Sequence, residues 1–124
     1  MNVQKVVEEL KRQYPGKNII LNPPENPTEV VCEIEPGSMT PERSTAIAVM
    51  DSNINHMHRQ AIEVYEIIKG VLEVNKEGRT YVLQQGQKIV IKPGEVHTVK
   101  GKETWVKVTS TPAWSGDDQF NVGD

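Results

Sequence analysis

The sequence predicts an all-β protein: a sandwich or barrel of short strands, preceded by one N-terminal helix. Three observations carry that expectation. Beyond residue 28, short apolar or alternating runs recur at near-even spacing. Turn signals punctuate them at Pro36-Gly37, Gly70, "NKEG" (75–78), Gly86, Pro93-Gly94 and Gly101. Only one stretch, near the N-terminus, carries helical periodicity, and no second one interrupts the strands.

That stretch is residues 2–14, where Val3, Val6, Val7, Leu10 and Tyr14 recur at helical spacing. Glu8, Glu9, Lys11 and Arg12 occupy the other face, and Pro15-Gly16 ends the helix. "NPPENP" (22–27) holds too many prolines for a regular element and reads as a linker. Strands are expected at 29–35, 45–50, 54–58, 63–69, 71–75, 79–84, 87–92, 96–100 and 104–110, so the β-rich body spans about 29–110. The tail, 111–124, opens with a proline and a tryptophan suited to packing, and its last few residues are expected to be loose.

At 124 residues the chain is read as one domain over its whole length. Aromatic residues are only 5%, so aliphatic side chains must fill the core. The net charge is −3 with no basic stripe, which argues against a nucleic-acid partner. The opening "MNVQKVVEEL" lacks the apolar run of a signal peptide, and no segment approaches the ~20 apolar residues of a membrane span. The single cysteine, Cys32, excludes an intrachain disulfide. It alternates with Val30 and Ile34 on an apolar face, as a buried, inert thiol would. The expectation is a soluble, cytoplasmic protein.

The chemistry concentrates in "INHMHRQAIEVYEIIKG", residues 54–70. Two of the three histidines, His56 and His58, stand two apart, so on a strand they share a face. If "RQAI" (59–62) is a four-residue hairpin loop, His58 lies opposite Glu63, His56 opposite Tyr65 and Ile54 opposite Ile67. His97 opens a later strand that a closed barrel returns beside this pair. Singly, a His-x-His pair or a glutamate is most often a solvated surface feature. Three imidazoles and one carboxylate at compatible positions make a ligand set for one divalent transition ion, and four protein ligands leave positions open for water or a small molecule. The same register aims Tyr65 at the site, as a catalytic residue or as a core tyrosine, and turns Glu66 away. Trp105 is suited to packing under the helix or in a dimer contact.

These residues resemble the cupin superfamily. Its first motif, G-x5-H-x-H-x(3,4)-E-x6-G, is matched by His56, His58, Glu63 and Gly70. Its second, G-x5-P-x-G-x2-H-x3-N, is similar to "GQKIVIKPGEVHTVKG", with Gly86, Gly94 and His97 in place. Met50, Lys92 and Gly101 replace the first glycine, the proline and the closing asparagine, and none of the three is a ligand position. The resemblance implies a small antiparallel β-barrel of jelly-roll, double-stranded β-helix type. It implies metal ligands His56, His58, Glu63 and His97, and, as in many cupins, a homodimer. The ion is one of Mn, Fe, Ni, Co, Cu or Zn. The first functional expectation is a metal-dependent isomerase or epimerase acting on a sugar-like or keto-acid small molecule, like the group compared with mannose-6-phosphate isomerase. A metal-dependent dioxygenase and a non-catalytic ligand-binding or sensor domain are the alternatives, since one fold serves many reactions.

Overall fold

The computed structural model describes residues 1–123. Helix α1 runs Val3–Gln13. The Asn2 side chain caps its first turn by accepting the Lys5 backbone N–H, and Lys11 and Arg12 sit in its last turn, where cations complement the helix dipole. Ten strands follow: β1 Asn18–Asn22, β2 Glu29–Glu35, β3 Ser44–Ser52, β4 His56–His58, β5 Ile62–Lys69, β6 Leu72–Lys76, β7 Arg79–Leu83, β8 Lys88–Ile91, β9 His97–Thr111 and β10 Gln119–Asn121. Every strand pairing is antiparallel, and the strands form one curled sheet of cupin jelly-roll type.

The curl depends on β9. Its first half pairs with β6 and, through His97, with β4, whereas its second half pairs with β3 and β5. The strand therefore passes from one wall of the barrel to the other, a change of sheet that needs a bend. The bend lies at Gly101–Glu103, where Glu103 has φ +47° and the β3 register slips between Met50 and Ser52. A Cβ on Gly101 would stand 2.9 Å from the Met50 carbonyl and 2.5 Å from Thr104 Oγ1, so this close crossing requires glycine.

Period-two alternation sorts the strand residues between two cores. Ala48, Met50, Ile67, Leu72, Val74, Ile91, Val99 and Val106 fill the barrel. Val30, Cys32, Ile47, Val49 and Trp105 lie on the outer face of one wall, under Val6 and Leu10 of the helix. Trp105 thus packs beneath the helix, and Cys32 is fully buried.

Three expectations are corrected. Residues 18–22 form β1, which pairs with β2 and adds a strand ahead of the proline-rich segment. The strands expected at 96–100 and 104–110 are one continuous strand, because the β9 bend keeps its ladder bonds. The tail carries a further strand beyond those expected: β10 pairs with β4, with Phe120 opposite Met57 and Asn121 opposite His56, while residue 124 lies outside the described residues.

Candidate metal centre

His56, His58, Glu63 and His97 meet inside the barrel. All four are buried, and one potential ligand atom from each lies within 4.8 Å of the others. His56 and His97 are direct cross-strand partners, with ring centroids 4.1 Å apart. Glu63 Oε1 stands 3.0 Å from His58 Nε2 and 3.5 Å from His97 Nε2.

The expected hairpin is not how Glu63 arrives. Strands β4 and β5 do not pair: β4 lies between β9 and β10, and β5 between β8 and β9. His56 consequently faces His97 rather than Tyr65. Residues 59–61 turn the corner between the two walls, so His58 and Glu63 approach across the barrel interior. Inward alternation on β5 still brings in Glu63, Tyr65 and Ile67 and turns Glu66 away.

The imidazoles are oriented from behind. His56 Nδ1 is 2.7 Å from the Ile54 carbonyl, His58 Nδ1 3.2 Å from that of Asp118, and His97 Nδ1 3.0 Å from that of Glu95. Each carbonyl accepts a hydrogen bond from Nδ1–H, so each ring, when neutral, presents an unprotonated Nε2 to the centre, as metal-ligating histidines do. His58 Nε2, His97 Nε2 and Glu63 Oε1 are buried and make no directed hydrogen bond; their mutual approaches are close contacts without hydrogen-bond geometry. Buried polar atoms left unpaired are costly, and three converging on one point fit a metal ion. The cluster is thus compatible with a metal site in donor type, orientation and spacing.

Electrostatics separates the members. Burial pushes the pKa of His56 down to about 4, and the neighbouring His97 pushes it the same way. Burial also disfavours a charged His58, but Glu63 outweighs that and raises it. Glu63 would be neutralised by burial alone, yet its contacts with His58 and His97 hold it at about 2. Tyr65 is buried with its ring 6.2 Å from that of His97. Burial first, then the negative charges of Glu63 and Glu29, keep its hydroxyl protonated far above the usual range.

Two contributors escaped the sequence reading. Asp118 holds the 59–61 corner: its carboxylate accepts the backbone N–H groups of Arg59 (2.9 Å), Gln60 (3.0 Å) and Ala61 (3.0 Å). Arg59 stacks over Phe120, its guanidinium carbon 4.3 Å from the ring centroid. Glu29 lines the cavity that opens onto the centre, with Asn22 Nδ2 donating to its Oε1 at 3.2 Å. That cavity measures about 990 Å³, and His56, His58, Glu63 and Tyr65 lie in its lining. Arg59, Lys92 and Lys100 do not line it.

Residues 30–108 match the cupin domain family, and the chain belongs to it. No curated protein matches the chain. Among solved structures it is similar to Pac13, a nucleoside dehydratase, at a TM-score of 0.75 and 12% identity over 88% of this chain and 87% of that one. A histidine-to-glutamine variant of Streptomyces Pac13 has been solved with uridine, and this chain matches it at a TM-score of 0.76 and 12% identity. It is also similar to KdgF from Halomonas sp., at a TM-score of 0.65 and 18% identity over 72% and 84% of the two chains. Ectoine synthase from P. lautus has a TM-score of 0.61 and 13% identity over 77% of each chain. At these identities the likeness is one of fold.

Proposed function

We propose that this cupin is a metal-dependent enzyme that acts on a small polar molecule by isomerase- or epimerase-type proton transfer. The observation that carries this reading is the set of Nε2 atoms, each freed by a carbonyl behind its ring and aimed with Glu63 at one point beside the cavity. His56, His58, Glu63 and His97 would hold the ion. A divalent ion bound there polarises substrate oxygens and makes a neighbouring carbon-bound proton more acidic. The depressed His56 keeps its imidazole neutral, and hence able to ligate, well into mild acid. Tyr65 lines the same cavity and keeps its proton, so it suits the role of donor to a substrate oxygen. Known enzymes of this fold, and one neighbour solved with uridine, make a small-molecule ligand a natural occupant.

The test is metal analysis of protein purified without oxygen, followed by solvent-deuterium exchange assays on sugars, polyols and keto acids. Stoichiometric metal with deuterium incorporated at a carbon supports the reading. Metal-free protein after anaerobic purification and reconstitution refutes it. A tightly held small molecule recovered unchanged and unlabelled points instead to a binding domain, and substrate-dependent oxygen uptake to a dioxygenase.

A further inference from the structure

The inward face of β2 differs from its outward face. Val30, Cys32 and Ile34 turn toward the helix, so Glu29, Val31, Glu33 and Glu35 line the cavity. With Glu63, four carboxylates line this space, and no lysine or arginine among the described residues does. The nearby cation Lys17 is engaged with the Ile34 carbonyl and stays outside the lining. The same cavity receives the buried His58 Nε2 and Glu63 Oε1, which approach each other at 3.0 Å but make no directed hydrogen bond. Asn22, Ser52 and Asn53 add uncharged polar groups along its wall.

We propose that the cavity takes a polyhydroxylated ligand without carboxylate or phosphate, and that Glu29, Glu33 and Glu35 set this preference. The proposal rests on the ligand-binding reading above and narrows it, removing keto acids and sugar phosphates from the substrate class. Carboxylate oxygens accept hydrogen bonds only, so each is matched by a hydroxyl donor on the ligand. An anion entering the cavity meets like charges before it reaches the centre, with no fixed cation on the wall to offset them. Glu29 is the most defined of the three, since the Asn22 amide donates to one of its oxygens; burial raises its pKa, so the negative charge of the wall rests first on Glu33 and Glu35. A divalent ion held by Glu63 and three neutral imidazoles would leave a net charge of about +1 at the centre, smaller than the charge of the carboxylates that β2 adds to the wall, so an anion still crosses a net negative approach.

Two measurements test this on the intact protein and on a Glu29→Gln/Glu33→Gln/Glu35→Gln variant, with metal content determined on each sample. The first is ligand-detected NMR with matched pairs: glucose and glucuronate, xylitol and xylonate, glycerol and glycerate. At least one alcohol of the set should bind, and each acid should bind more weakly than its partner. The variant should bind the acids more tightly by about tenfold, the order expected when several like charges are removed at close range. The second uses Trp114, which is half exposed and lines the cavity, whereas Trp105 is covered by the helix. Iodide should quench Trp114 less efficiently than acrylamide, and the variant should gain iodide quenching by about threefold. Tighter binding of an acid than of its alcohol, no binding by any alcohol, or unchanged iodide quenching in the variant overturns the proposal. Loss of metal with iodide exclusion intact would remove the metal reading and leave the acidic wall standing.

Discussion

Asp118 offers the sharpest test of how the centre is built, because it lies in the tail, far in sequence from every proposed ligand. Its carboxylate gathers three consecutive backbone N–H groups at 2.9–3.0 Å, and its carbonyl faces His58 Nδ1. Asp118→Ala removes the acceptor from all three. Hydrogen bonds to a charged group are worth about 1.5–3 kcal/mol each when buried, and this half-exposed corner recovers part of that from water, so a net loss of about 2 kcal/mol is expected. The consequence for the centre is larger than for the fold. With the corner released, β10 no longer fixes the carbonyl behind His58, and loss of such outer support typically costs about 10–100-fold in metal affinity. Zinc affinity measured by competition with a chromophoric chelator, and stability of the metal-free protein in urea, give the two numbers. Asp117→Ala is the control, since Asp117 is exposed and, among the described residues, makes no bond to the corner. Burial works against the Asp118 charge, but the three N–H groups outweigh it and hold its pKa below the ordinary 3.8. A depressed carboxylate contributes stability that is complete above its unfolded pKa and lost as pH falls through its folded one, so the parent–variant difference should persist at pH 6 and vanish in strong acid. Zinc affinity within about twofold of the parent would refute the idea that the tail orients His58.

Other outcomes follow from the same geometry. His56→Ala, His58→Ala and His97→Ala should each lose stoichiometric metal yet keep a β-rich circular dichroism spectrum, since the aliphatic side chains of the barrel and the strand ladders remain in place; undiminished binding would remove that residue from the ligand set. Glu63→Gln should weaken metal binding, whereas Glu66→Gln, on the outward face of β5, should leave it unchanged, as read by isothermal titration. Gly101→Ala should destabilise by about 1–3 kcal/mol in urea unfolding, the usual cost of forcing atoms into an occupied space, because its Cβ meets the Met50 carbonyl. In the metal-free protein, His56 favours the fold while neutral, and that contribution is complete above pH 6.5 and is lost as pH falls to about 4. At about 1.36 kcal/mol per pK unit it amounts to roughly 3 kcal/mol, partly offset by His58, whose raised pKa gives the opposite slope. His56→Gln should flatten the net loss, measured as urea midpoint against pH.

That His56, His58, Glu63 and His97 cluster was legible because their spacing is local: a His-x-His pair, a glutamate five residues on and a histidine after a Pro-Gly turn mark a pattern whatever strands they pair with. Pairing itself was not legible. A four-residue interval after His58 suits a hairpin as well as a corner between walls, and the group that decides, Asp118, lies 60 residues away. Strand β1 was hidden because "NIILN" is short and sits against the prolines. Strand β10 was hidden because "QFN" is three residues long and gains its place only from β4. The alternation in "EVVCEIE" was readable, yet which of its faces is interior depends on the helix covering the outer one.

The arrangement also bears on why these polar atoms survive in a buried place. His56 and His97 stand on the wall built from β4, β6 and the first half of β9, while Glu63 stands on the wall built from β5, β8 and the second half. The cluster therefore spans the two walls, with His97 at the start of β9 and Glu63 opposite Ser110 near its end. Three buried polar atoms without directed hydrogen bonds carry a cost of about 1–3 kcal/mol each, offset only in part by the attraction between Glu63 and His58, against a total stability of only about 5–15 kcal/mol for a domain. An aliphatic residue at any of these positions would remove that cost and extend the core already formed by Ile67, Ile91 and Val99. The fold instead spends carbonyls from Ile54, Glu95 and Asp118 to hold the three rings by their far nitrogens. A core selected for stability alone would have no use for that orientation. It gains a physical rationale when the converging atoms share a bound cation, because the same contact then satisfies all of them and ties one wall of the barrel to the other.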